Sequence, residues 1–196
     1  MIELIVSIFI FSIVMTISIG ALVQSLDANR KTQSLETVLN NLNVVLDTMT
    51  KNIAVGTHYE CGTLTTMPPK PQDCIIEAGG GKEISFLFNE DLDGDGLAND
   101  VITYTHETDH FGGYISRTIT FGQSLKTEGP VRMTAPDVNI TQMQFYVTGS
   151  ETDANGDYVQ PKVQIFVKGT APVGPRNQPT EFKVQTLVSQ RIPDFQ

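Results

Sequence analysis

The first 23 residues read MIELIVSIFIFSIVMTISIGALV, and they decide how the rest of the chain can be built. They carry one charged side chain, Glu3, followed by 20 residues, Leu4 to Val23, without any charge. An apolar run of about 20 residues is the length that a helix needs to cross roughly 30 Å of hydrocarbon. An acid at the start of such a run is costly in lipid unless it has a cationic partner. The sequence therefore predicts a membrane-spanning helix whose Glu3 needs a cation.

The helical pattern continues beyond this run and becomes amphipathic. Apolar residues recur at the i, i+3, i+4, i+7 spacing of one helix face, and no proline occurs before Pro68. This apolar stripe consists of Leu35, Val38, Leu39, Leu42, Val45, Leu46, Met49 and Ile53. We predict one helix over residues 1–54, on the order of 75–80 Å long at 1.5 Å per residue. Its weakest point is Gly20, because glycine costs roughly 1 kcal/mol in a helix interior, and its second half covers another element.

The remainder of the chain has a β pattern. Residues 57–82 have the pattern of an irregular loop, and turns are predicted at Asp153–Asp157 and Ala171–Pro179. Alternating apolar residues predict strands with one buried and one solvent-exposed face. These strands are Ile84–Phe88, Val101–Thr105, Tyr114–Phe121, Gln142–Thr148, Lys162–Lys168 and Glu181–Val188. The predicted fold class is α+β, a long N-terminal helix packed on a C-terminal antiparallel sheet, with residues 55–196 forming one globular domain.

Charge and motifs restrict the function of this domain. The formal net charge is −9, and after residue 54 there are 18 acids against 10 lysines and arginines. This excess argues against nucleic-acid binding through a basic face, so no direct nucleic-acid binding is expected. Neither a nucleophile elbow, a phosphate-binding loop, a dinucleotide fingerprint nor a zinc-protease motif occurs, and no enzymatic activity is expected.

The two cysteines, Cys61 and Cys74, flank a proline-containing loop with little capacity to fold alone. A disulfide between them would contribute roughly 3 kcal/mol by the chain-entropy relation. It would also indicate an oxidising compartment. A structural zinc is not favoured, because no further cysteine or histidine has a suitable spacing. Two unrelated free thiols are the alternative.

Residues 91–100, DLDGDGLAND, have the spacing of a calcium-binding loop. Aspartates occupy positions 1, 3 and 5, and Gly96 at position 6 permits the sharp turn that presents the next carbonyl. Ile102 stands where an EF-hand has its glutamate, and the flanks are β-like, so we predict a weak calcium loop between two strands. An acidic, glycine-rich turn without metal is the alternative. The predicted ligands are Asp91, Asp93, Asp95, Leu97, Asn99 and Asp100.

Two weaker metal patterns are interpreted differently. Asp153, Asn155 and Asp157 repeat the acidic alternation, but a turn explains them better. His106 and His110 lie about 13 Å apart if their segment is extended, which is too far for one ion. We interpret the two histidines as part of a solvated segment.

This combination of features resembles type IV pilins and the pseudopilins of type II secretion. Residues 2–7, Ile-Glu-Leu-Ile-Val-Ser, resemble the segment after the prepilin-peptidase site, where the family has Phe-Thr-Leu-Ile-Glu-Leu. The resemblance covers residues 1–54. Beyond them only the general β-rich pattern fits the family. That pattern, including the closing stretch Gln185–Arg191, is most similar to that of a larger, minor pseudopilin. It implies that Glu3 pairs with the methylated N-terminal amine of a neighbouring subunit in a filament. It further implies other pilin subunits and an inner-membrane assembly platform as partners; calcium loops also occur in some pseudopilins.

Two features depart from that pattern. The basic leader and its cleavage junction are missing, so we expect the chain to begin about two residues inside the mature protein. Arg30 and Lys31 lie on the C-terminal side of the span and, by the positive-inside rule, favour the reverse orientation. The cysteines and the calcium loop favour an outside domain and outweigh this charge count. We expect a single-pass inner-membrane protein with an extracytoplasmic domain, which later enters a periplasmic or cell-surface filament.

A membrane-anchored extracytoplasmic domain is the alternative. Such a protein would use its calcium loop for adhesion or ligand binding and would form no filament. Glu3 separates the two hypotheses, because a plain membrane anchor has no use for an acid at the start of its span.

Overall fold

In the computed structural model, residues 2–74, 79–122, 124–150, 159–173 and 178–191 are described. One long helix, α1 (Ile2–Val55), is followed by eight strands. The strands are β1 (Thr57–Cys61), β2 (Glu83–Leu87), β3 (Val101–Asp109), β4 (Gly112–Thr120), β5 (Thr127–Arg132), β6 (Asn139–Thr148), β7 (Lys162–Val173) and β8 (Gln178–Ser189). The predicted α+β class, with a long N-terminal helix and antiparallel strands, is confirmed.

The helix is continuous and ends where the sequence supplies a glycine. It passes through Gly20 without a break, and a side chain at Gly20 would meet no atom within 4 Å. At the other end, Gly56 N donates to the carbonyls of Asn52 and Ile53, both at 3.1 Å. The Tyr59 hydroxyl donates to Ile53 O at 2.6 Å and Gly56 O at 2.7 Å. These bonds satisfy carbonyls that the end of a helix otherwise leaves without partners.

The strands form two antiparallel sheets where the alternation predicted one. The first has the order β1-β2-β3-β4-β5, and the second has the order β6-β7-β8. The edge of β6 that does not pair with β7 forms isolated bridges to the chain segment between β1 and β2. These bridges join Val147 to Cys74 and Phe145 to Gly81. Gly113 N on β4 also donates to Asn139 Oδ1 at 2.8 Å. Short cross-links of this kind hold the two sheets together around one core.

The apolar stripe of α1 covers this core, as its spacing predicts. Leu42 is fully buried on the stripe, whereas Val44 on the opposite face is 67% exposed. Each large side chain that is buried in this way contributes about 1.5–3 kcal/mol. Residues of the helix stripe and both sheets share one cluster, which includes Val38, Leu42, Val45, Met49, Ile53, Phe86, Tyr104, Ile115, Phe145, Ile165 and Val167.

Two strands lie where no strand was predicted. β1 occupies the start of the predicted irregular loop 57–82; its THYEC sequence does not alternate, but it pairs with β2. β5, TEGPVR, is the exposed edge of its sheet, where a proline is tolerated. β7 and β8 also extend into the predicted loop 171–179, because they pair as far as Val173 and Gln178. The predicted turn at 153–157 lies outside the described residues.

Candidate functional site

The N-terminal half of α1 is an exposed apolar rod. None of the residues from Ile2 to Val23 is buried by the rest of the chain. By length and composition, this helix is able to cross a membrane. In water, so large an apolar surface would be strongly unfavourable, so the rod needs lipid or other helices around it.

The hydroxyl groups in this half are satisfied by the helix itself. Ser7, Ser12, Thr16 and Ser18 each donate to the carbonyl four residues earlier, at 2.8 Å. Such local bonds remove the cost of carrying a free hydroxyl into an apolar environment. Small hydroxylated residues also permit close approach of neighbouring helices. The rod is therefore compatible both with lipid and with a bundle of like helices.

Glu3 lies in the first turn of this helix. A carboxylate in that position interacts favourably with the partial positive charge of the helix N-terminus. No ion pair or side-chain hydrogen bond reaches its carboxylate from the part of the chain that the structure describes. Its need for a cation is therefore not met by the described residues of this chain.

A second candidate site is a cluster of carboxylates in the loop between β2 and β3. The Asp91 carboxylate accepts hydrogen bonds from Gly94 N at 2.6 Å, Gly96 N at 2.8 Å and Asp95 N at 3.2 Å. Gly94 and Gly96 adopt positive φ angles of 80° and 88°, which favour glycine. These amide hydrogen bonds hold the pKa of Asp91 below its usual value, and the bond from Gly96 N has the largest effect.

Three carboxylates converge in this loop. One carboxylate oxygen from each of Asp91, Asp93 and Asp100 lies within 4.8 Å of the others. Asp100 is fully buried, and it accepts hydrogen bonds from Leu92 N at 2.8 Å and Gly122 N at 3.2 Å. Three hard oxygen ligands at this separation suit a divalent cation such as calcium. The amide donors, however, also stabilise the turn without a cation.

The remaining predicted ligands are arranged differently. Asp95 does not belong to the three-carboxylate cluster, and its carboxylate accepts from Leu97 N at 2.8 Å. Loss of hydration, followed by repulsion from Asp95 and Asp100, raises the pKa of Asp93. The Asn99 side-chain oxygen is buried and has no hydrogen-bond partner among the described residues. Asp100, a predicted ligand outside positions 1, 3 and 5 of the loop, thus takes a central place in the cluster.

The predicted disulfide is confirmed. Cys61 and Cys74 are joined, with their Cα atoms 5.9 Å apart. The enclosed loop is also held by the buried Glu60 carboxylate, which accepts from Thr65 Oγ1 at 2.5 Å, Thr65 N at 3.1 Å and Lys70 N at 3.2 Å. This role of Glu60 was not predicted from the sequence. Its position next to Cys61 could have indicated the role, because an acid beside the cysteine that closes a loop can accept hydrogen bonds from the free amides of that loop.

The histidines do not form a site. His106 Nε2 lies 2.9 Å from Ile140 O, and the His110 ring contacts the Phe111 ring at a tilt of 43°, with centroids 3.6 Å apart. Among the described residues, the aspartate cluster is the candidate metal group that the geometry provides.

No protein-family model, curated protein or solved structure matches this chain. Functional inference therefore depends on the residues described above.

Proposed function

We propose that this protein is a structural subunit of a type IV pilus or type II secretion pseudopilus, and that it is a minor subunit. In this proposal the apolar half of α1 lies in the inner membrane before assembly. An assembly platform at that membrane then transfers the subunit into the filament, where the apolar half packs against other subunits. Glu3 pairs with the N-terminal amine, methylated in this family, of a neighbouring subunit. The β-rich domain faces the periplasm or the cell surface.

The observation that supports this proposal most is the division of one continuous helix into two environments. The exposed half, Leu4–Val23, is apolar on all sides, whereas the half from Leu35 onward buries one stripe under both sheets. A plain membrane anchor explains the first half but not an acid at its start. A subunit contact explains both, because a neighbour's amine would supply the cation that the described residues of this chain do not supply to Glu3.

The test is Glu3→Ala in the full chain, expressed with the assembly machinery of its native host. We expect the variant to reach the membrane at the wild-type level but to be lost from the sheared filament fraction. Glu36→Ala is the matched control, because Glu36 is an exposed acid on the same helix outside the apolar half. Glu3→Gln separates charge from size and should behave like Glu3→Ala. Normal incorporation of the Glu3 variants would refute the proposed assembly role.

We also propose that the Asp91, Asp93 and Asp100 cluster binds calcium. Its three converging oxygens support this proposal, since unpaired carboxylates at such separations repel one another. One bound cation would neutralise part of that repulsion and fix the loop between β2 and β3. The same cluster is the observation that favours the second candidate function, a membrane-anchored calcium-binding adhesion or ligand-binding domain.

Calcium binding is tested by thermal unfolding after dialysis against a chelator. At a calcium concentration of about 100 times the Kd, binding stabilises the folded state by about 2.7 kcal/mol. We expect Asp93→Asn to reduce this gain, whereas Asp137→Asn, an exposed aspartate outside the loop, should retain it. An unchanged melting temperature on addition of calcium would refute the metal site.

A further inference from the structure

The solvent face of β7 and β8 is basic in a chain of net charge −9. On β7 the residues Val163, Ile165 and Val167 are buried, so the alternate positions Lys162 and Lys168 point to the other face. On β8 the exposed odd-numbered positions include Lys183 and Leu187. This basic face, defined by Lys162, Lys168 and Lys183, carries no element of the described chain over it.

Two of these lysines are placed unfavourably for the fold. Lys168 and Lys183 are direct partners in the antiparallel register of β7 and β8. Like charges that face each other across neighbouring strands destabilise a sheet. Glu181 offsets only part of this charge, since its Oε2 lies 3.6 Å from Lys168 Nζ and its side chain is 63% exposed. A local conflict that the fold does not require is typical of a binding surface, here one for an anionic group.

The chain itself carries a surface of the opposite sign, in the loop between β2 and β3. This acidic loop exposes Glu90, Asp91, Asp93 and Asp95, and it also contains the buried Asp100. Five carboxylates would retain a charge of −3 even with one calcium ion bound, since 5 − 2 = 3. The ion pairs among the described residues are Lys51–Asp47, Arg132–Asp109 and Lys168–Glu181, so none involves this loop.

The basic face and the acidic loop lie at different positions along the axis of α1. Arg191 N, two residues after β8, donates to Ala54 O at 2.7 Å, which fixes that end of β8 beside the end of the helix. Lys183 is eight residues earlier in an extended strand, so it lies about 25 Å from Arg191. It pairs with Lys168, and Lys168 pairs with Gln142 near the start of β6. Ala135 N, just before β6, donates to Asn41 Oδ1 at 3.1 Å, so this end of the sheet lies nearer the helix N-terminus. The acidic loop follows Leu87, which pairs with Thr57 just after the helix. Lys183 and the loop of the same chain are therefore too far apart to pair.

We propose that the basic face of one chain binds the acidic loop of a second copy that is displaced along the helix axis by about this distance. Such a contact is heterologous, because it joins two different surfaces of the same chain. The inference rests on the proposed function, since it specifies how β-domains meet once the helices have assembled.

The test uses the full chain in detergent micelles, with self-association measured by sedimentation. The first variant, Lys168→Glu/Lys183→Glu, makes the basic face acidic. The second variant, Asn89→Lys/Glu90→Lys, makes the acidic loop less negative without changing any predicted calcium ligand. We expect self-association of the wild type to decrease at about 1 M salt, where the screening length is about 3 Å. Each variant alone should associate about tenfold more weakly or worse.

Mixing the two variants provides the decisive measurement. In an equimolar mixture, the unchanged acidic loop of the first variant meets the unchanged basic face of the second, so association should recover. The matched control is Lys70→Glu/Lys82→Glu, which makes the same change in net charge elsewhere on the exposed surface and should associate like the wild type. Melting curves identify any variant that fails to fold, and an unfolded variant cannot restore its partner.

Three results would overturn the contact: a wild type that stays monomeric at low salt, variants that associate like the wild type, or a mixture that does not recover. All of these chains retain Glu3. Loss of filament incorporation in Glu3→Ala together with no effect of the charge reversals would refute this contact alone. Normal incorporation of Glu3→Ala together with mutual rescue of the reversals would instead refute the proposed assembly role of Glu3.

Discussion

Leu42 and Val44 lie two residues apart on α1, and replacing each with alanine tests how the helix is held. Leu42 is 0% exposed, whereas Val44 is 67% exposed. Leu42→Ala removes an isopropyl group, equivalent to roughly three methylenes at about 0.8 kcal/mol each. The cavity that remains raises the expected loss to about 3–4 kcal/mol. Val44→Ala removes no buried contact, and alanine's better helix propensity offers up to about 0.6 kcal/mol in its favour.

The measurement is thermal unfolding of the full chain in detergent micelles, followed by near-ultraviolet circular dichroism. Tyr59 and Tyr104 are buried in the domain, and the chain has no tryptophan, so the tyrosine signal reports domain packing. We expect Leu42→Ala to lower the melting temperature by about 10 °C and Val44→Ala to leave it within about 2 °C. Equal losses in the two variants would show that the apolar stripe is not the cover of the sheets.

Three further predictions concern the domain. Cys61→Ala/Cys74→Ala should lower the free energy of unfolding by about 3 kcal/mol, as expected for a loop of this length; a loss below about 1 kcal/mol in denaturant titrations would contradict the role of the disulfide. Burial raises the pKa of the Glu83 carboxyl, so its contribution to stability is present at low pH and is lost as the pH rises through the folded-state pKa. Glu83→Gln should therefore stabilise the protein at neutral pH but have little effect below about pH 4, and a pH-independent difference would argue against this. The pKa of Tyr114 is raised chiefly by the hydrogen bond, 2.7 Å long, that its hydroxyl donates to Glu107. Glu107→Gln should therefore lower the pKa of Tyr114 in an ultraviolet titration. An unchanged pKa would exclude this hydrogen bond as the cause.

The helix and most strands were predictable because their signals are local. The apolar stripe from Leu35 to Ile53 repeats at helical spacing, and Gly56 follows the end of the helix. β1 and β5 gave no such signal. β1 is held by its pairing with β2 and by the disulfide, and β5 is an exposed edge with one proline and little apolar sequence. Strands that depend on partners distant in sequence do not show in their own residues.

The aspartate cluster shows the same limit at the level of a site. Sequence spacing predicted that positions 1, 3 and 5 of the loop converge, and Asp91 and Asp93 do so. Asp95 turns to its own backbone neighbour, Leu97 N, and the buried Asp100 takes the third place. Asp100 is positioned by Gly122 N, which follows β4 and lies 22 residues further along the chain. A contact of that range is set by the sheet and cannot be derived from the loop alone.

The two halves of α1 also separate folding from assembly. The core begins at Leu35, and no residue from Ile2 to Val23 is buried against the β-domain. A move of the apolar half from lipid to a bundle of helices would therefore break no contact of the domain. Its hydroxyls bond to their own helix, so either environment accepts them at little cost. Glu3 is different, because a carboxylate needs a cation in an apolar surrounding. In the proposed assembly a neighbouring chain's amine would supply that cation, whereas lipid tails offer none.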